Sequence, residues 1–132
     1  MSEAQLLVED VVSTLPAEEA WGAFKVLGVE KARLELFGWV LGKAVEVDRV
    51  EVLAGGAVIA TTAPEVPRED LAKLHPERES AATCGFRVVI EAKGKGKSEL
   101  QLRAVLEDET AVPMGSVHVN APARRWDVFR RR

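Results

Sequence analysis

The residues best equipped for chemistry crowd one short stretch, PREDLAKLHP at 67–76, which carries Arg68, Glu69, Asp70, Lys73 and His75, with Cys84 shortly after it. A carboxylate beside His75, from Asp70 or Glu79, would raise the imidazole pKa toward neutrality and make an acid–base pair. A nucleophilic Cys84 would need an adjacent base or a positive surrounding. Neither is evident: Cys84 stands between Thr83 and Gly85 at the head of an apolar run, where a cysteine ordinarily serves as a small buried hydrophobe. The same stretch also reads as architecture. Pro67 suits a first helical position, Glu69 and Asp70 favour the positive end of a helix, Leu71 and Leu74 can pack down on one side, His75 caps the end and Pro76 stops it.

Other site chemistry is thin. With one cysteine there is no internal disulfide, and one cysteine with two histidines, His75 and His118, gives no cluster at zinc-ligand spacing. His118 alternates with Val117 and Val119, so it points to solvent or lies on a sheet face. No GxSxG, HExxH, Walker-type or GxGxxG sequence occurs, and KGKGK at 93–97, although Ser98 follows it, lacks the helix of a phosphate loop. No catalytic, metal-binding or cofactor-binding residue is therefore expected, and no cofactor.

The elements that would position any site are strands. From Ala23 onward the pattern turns period-two and rich in β-branched and aromatic residues: AFKVLGV, then ARLELFGWVL, where Leu34, Leu36 and the Gly38 backbone share a face. VEVDRVEVLAGGAVIATT predicts a hairpin turning at Gly55-Gly56. After residue 83 come CGFRVVIEA, a glycine-lysine hairpin tip at KGKGK, and a strand with Leu100, Leu102, Ala104 and Leu106 on one face against Gln101, Arg103 and Val105. EDET at 107–110 is its turn. Residues 1–20 fit an edge strand, a short helix or a tail. About seven strands with one short helix at about 67–75, and no helices alternating with strands, predict an all-β, antiparallel β-sandwich over residues 21–120, with a small barrel as the alternative.

Composition agrees with a single globular domain. The 132 residues are 47% hydrophobic and 30% charged, far from the signature of disorder. A formal charge of −3 offers no global field for a phosphate backbone, so nucleic acid is not the expected partner. No run approaches the length of a membrane helix, and the acidic start MSEAQLLVED is unlike a signal peptide, which points to the cytoplasm.

Three tryptophans stand out in a chain without tyrosine. Trp39, in a strongly apolar strand, is expected in the core. Trp21 and Trp126 are the candidate contacts for a sugar or a protein partner, because a planar indole matches the apolar face of a pyranose. The tail ARRWDVFRRR sets five arginines around Trp126 and Phe129 in its last nine residues. Basic and aromatic interleaving suits contact with the inner face of a membrane, and equally a linker into a following domain.

The succession FGWVLG, VDRVEVLAGGAVIATT, VPREDLAKLHP, CGFRVVIE, LQLRAVLEDE and MGSVHV resembles a small Ig-like β-sandwich module of bacterial glycosyltransferases and sugar-modifying enzymes of cell-surface polysaccharide synthesis. The resemblance covers roughly residues 33–119. It rests on Gly38 and Trp39, on Arg68, Asp70, Leu71, His75 and Pro76, and on Gly85 and Phe86; Glu69 stands where the pattern more often has proline. It implies an accessory domain for glycan acceptor binding or for positioning a covalently linked catalytic domain, with the tail at 121–132 as the linker. The shared residues would be structural: Arg68 and Asp70 tying a crossover turn to a sheet edge, and Gly85 admitting Phe86 to the core beside another backbone. A protein-interaction module without sugar affinity is the alternative.

Overall fold

The computed structural model describes residues 5–91 and 96–121. The chain is an all-β sandwich of two antiparallel sheets, as the strand pattern predicts, with eight strands among the described residues where about seven are expected. The additional strand is β1 (Leu7–Ser13), an edge strand built from the segment whose short pattern left three choices open. After it come β2 (Ala20–Glu30), β3 (Arg33–Gly42), β4 (Val47–Ala54) and β5 (Ala57–Thr62), then the helix α1 (Glu69–Leu74) and a 3-10 turn over Glu79–Thr83, and finally β6 (Gly85–Glu91), β7 (Gly96–Leu106) and β8 (Ala111–Ala121). The larger sheet has the order β1-β8-β7-β4-β5 and the smaller β2-β3-β6.

Alternation decides which side chains fill the space between the sheets. Leu34, Leu36 and Val40 from β3, Phe86, Val88 and Ile90 from β6, and Val50 and Val52 from β4 meet Leu100, Leu102, Ala104, Leu106 and the inner residues of β8 in one core. The β4–β5 hairpin turns at Gly55-Gly56, both at positive φ, as its sequence requires. Two expectations change. β6 and β7 lie in different sheets and do not pair as the hairpin expected around KGKGK, whose residues 93–95 lie outside the described ones. Val105, on the outer face of β7, is nearly as buried as its inward neighbours.

Gly38 sits on one rung between Phe24 of β2 and Phe86 of β6. A Cβ there would lie 2.2 Å from the Ala23 carbonyl oxygen and 2.7 Å from the Phe24 Cα, so the central strand can pass only without a side chain.

The stretch from β5 to β6 crosses from the larger sheet to the smaller. Its helix starts two residues later than expected: Glu69 is the first helical residue, Arg68 is the N-cap and Pro67 lies before it. Leu71 is buried under the helix while Leu74 is 67% exposed, so one leucine anchors it rather than two. His75 is the C-cap residue, its backbone N–H donating to the Leu71 carbonyl at 2.8 Å, and Pro76 follows.

Candidate functional site

Because β3 runs between β2 and β6, the outer face of the smaller sheet can be read rung by rung. The inward set Leu34, Leu36, Gly38 and Val40 leaves Glu35, Phe37, Trp39 and Leu41 pointing outward. One outward rung is Lys25, Phe37 and Arg87; the next is Ala23, Trp39 and Gly85. Toward the end of the sheet, α1 and the 3-10 turn close over Leu41, with Leu71, Ala81 and Cys84 forming a second small core against which Trp21 and Trp39 pack. The rest of the face stays open as a groove of about 520 Å³, floored by Phe37 and Trp39 and walled by Val66 and Arg68. That volume is in the usual range for a small-ligand site.

The wall is held by backbone. Val66 and Gly85 exchange hydrogen bonds of 2.9 and 3.0 Å, and the Arg68 N–H donates to the Ala82 carbonyl at 2.8 Å. A Cβ at Gly85 would lie 2.8 Å from the Val66 carbonyl oxygen, so this glycine permits the close approach foreseen for it. Arg68 and Asp70 form a two-point pair, Nε to Oδ1 at 3.0 Å and Nη2 to Oδ2 at 2.8 Å. This pair is local to the helix entrance; the tie between crossover and sheet edge comes from the Val66–Gly85 bridge. The Arg68 guanidinium holds the Asp70 carboxyl below its ordinary pKa. Lys25 Nζ lies 4.9 Å from the centre of the Phe37 ring, and Arg87 pairs with Glu35 on the neighbouring strand.

The residues suspected of chemistry are spent elsewhere. Asp70 is engaged by Arg68. The His75 ring stacks on Trp21 with its Nδ1 3.5 Å from Glu77, and Cys84 is buried with Sγ donating to the Ala81 carbonyl at 3.2 Å. Burial pushes the Cys84 thiol up to about 11, so it is not a thiolate at neutral pH. Among the described residues no hydrogen bond joins His75, Asp70 and Cys84, and no group of three metal-ligating side chains could hold an ion. His118 lies on the outer face of the larger sheet, 3.2 Å from Glu99.

The tryptophans change places. Trp21 is half-buried, with the His75 ring at 4.4 Å and Lys43 Nζ at 5.2 Å, so its indole is already packed rather than a bare platform. Trp126 lies outside the described residues, as does the arginine-rich tail. Trp39, expected in the core, is half-buried and faces the groove instead, because its side of β3 is the outer one. Phe37 is a site residue that the same alternation putting Leu34 and Leu36 inside marks as outward-facing. Of the motif residues, Gly38, Trp39, Arg68 and Phe86 line this one groove.

A second, smaller concavity lies on the outer face of the larger sheet, near Glu99, Gln101, Arg103 and Pro113, with mixed charges and no aromatic residue among the described residues lining it. Among the described residues no helix is long and apolar enough to cross a membrane. No protein-family model matches the chain, and no curated protein matches it closely enough to count as a relative.

Proposed function

We propose that this chain is a non-catalytic accessory β-sandwich domain that binds a glycan acceptor in the groove over Phe37 and Trp39, in the service of a glycosyltransferase of cell-surface polysaccharide synthesis. The observation that carries the proposal is the pair of aromatic side chains at successive outward positions of β3, flooring a groove of about 520 Å³. Outward neighbours on a strand are about 6.5–7 Å apart, and the apolar faces of successive sugar rings can lie on such a row. Both neighbours of β3 are in place, so its peptide groups are already paired and recognition falls to side chains. That suits a sugar, whose hydroxyls project from its rim. It suits an extended peptide poorly, since the backbone of such a peptide would find no strand partner on this face. The resemblance to glycosyltransferase accessory modules points the same way.

A protein-docking module is the second reading. Leu27, Val66 and Val89 leave 42–47% of their surfaces exposed on or beside this same face, as a protein interface would use. Titrating the full chain with surface-glycan fragments, followed by amide shifts, separates the two. Shifts confined to β2, β3, β6 and the 63–68 connection, abolished by Trp39→Ala, are expected. A silent spectrum at millimolar sugar would leave the docking module as the account.

A further inference from the structure

We infer that the ligand of this groove is an acidic saccharide, one whose rings carry carboxylates; this rests on the glycan-binding reading above and adds the ligand's charge to it. Among the described residues the charged side chains lining the groove are Lys25, Arg68 and Arg87, with no Asp or Glu beside them in the lining, in a chain whose formal charge is −3. Cations gathered on one face against the overall balance raise the local concentration of anions.

Their placement follows the aromatic floor. Phe37 occupies the middle of a rung with Lys25 on one flank and Arg87 on the other. A sugar ring stacking on Phe37 would move the Lys25 ammonium, which lies over that ring 4.9 Å from its centre, to the rim; with adjacent strands about 4.8 Å apart, its substituents would then be within reach of both cations. On the next rung Trp39 pairs with Gly85, and the space left by the missing side chain is taken by Arg68, whose Cγ would lie 3.1 Å from a Cβ at Gly85. Each aromatic position thus has a cation beside it. Cations distributed along two rungs match negative charge repeated along a chain, as in a polymer of uronic acids, better than a single phosphate, which calls for donors converging on one point.

The guanidiniums remain available. Asp70 takes Nε and one Nη2 donor of Arg68, which leaves its Nη1 edge for another acceptor. Arg87 has a side chain 60% exposed, and an exposed pair such as Arg87–Glu35 is weak enough to exchange partners.

The test titrates the full chain at low salt with tetragalacturonate, with its carboxyl-reduced counterpart, which has the same rings and linkages without charge, and with a tetraglutamate peptide. Expected are binding of tetragalacturonate at least about tenfold tighter than of the reduced sugar, as charge-assisted hydrogen bonds supply, and loss of that advantage in a Lys25→Gln/Arg87→Gln double variant whose amide spectrum shows an intact fold. Equal affinity for both sugars would overturn the acidic-ligand inference and leave the glycan-binding reading standing. Binding of neither sugar would overturn both. Tetraglutamate bound as tightly as tetragalacturonate would overturn both in favour of an acidic protein partner. The comparison of matched sugars is made on the unaltered chain, so the outcome does not depend on the variant folding.

Discussion

The imidazole of His75 lies 4.4 Å from the Trp21 ring, centre to centre, tilted by 30°. This contact joins the C-cap of α1 to the second strand and helps hold the crossover down over Leu41. His75→Ala is expected to cost about 1 kcal/mol in urea unfolding and to shift Trp21 emission toward that of a solvated indole. Unchanged stability and emission would show that Leu71 alone anchors the helix.

Glu51 sits on the outer face of the larger sheet between two arginines: Arg49 Nε donates to it at 3.0 Å and Arg103 Nε at 2.7 Å. The residue is 7% exposed although it lies on an outer face, because the two guanidiniums cover it. The hydrogen bond from Arg49, then that from Arg103, holds its pKa below the ordinary 4.5. The folded value is the depressed one, so the stabilisation is complete above 4.5 and lost as pH falls through the folded value. Glu51→Gln is expected to destabilise by about 1–2 kcal/mol at pH 7. Urea curves for the two proteins should then converge toward pH 3; a constant gap at both pH values would mean that the charge is not what matters.

Gly38 offers a sharp packing test. With backbone atoms of Ala23 and Phe24 at 2.2 and 2.7 Å from a would-be Cβ, Gly38→Ala should destabilise by about 3 kcal/mol. Gly28, where nothing lies within 4 Å of a Cβ, is the control: Gly28→Ala should change stability by less than about 1 kcal/mol. Similar effects at the two sites would contradict the close approach of β2 and β3.

Cys84 should be chemically silent in the native chain. Only 2% exposed, and with its thiol pushed up to about 11 by burial, it should react with iodoacetamide at pH 8 only as fast as the domain unfolds. The native thiol also keeps its proton where an unfolded one, at 9.0, would lose it, so stability should decline as pH rises from about 9. Rapid native-state alkylation would restore Cys84 as a reactive residue.

Much of this was local enough to read from residues. Period-two alternation in ARLELFGWVL separates Leu34 and Leu36 from Phe37 and Trp39 whatever the topology, and Gly55-Gly56 specifies its turn without help from distant contacts. What depends on a distant partner is not legible in the sequence. Leu71 and Leu74 are three apart on a helix and look alike in sequence, yet only Leu71 meets Ala81 and Cys84. Trp39 stands in a strongly hydrophobic strand, but which face of that strand is the outer one depends on the larger sheet lying against the other.

The sequence alone determined the class: its alternating apolar residues, glycine turns and single short helical stretch bury enough surface only as packed antiparallel sheets, a consequence of side-chain periodicity. The tertiary structure decided the rest. The order β2-β3-β6 put Lys25 and Arg87 on either side of Phe37, and the crossover brought Arg68 to Gly85, because strand pairing joins residues far apart in the chain. No spacing along the chain encodes that rung, and it is the rung that turns an apolar strand into a groove with an aromatic floor and a cationic rim.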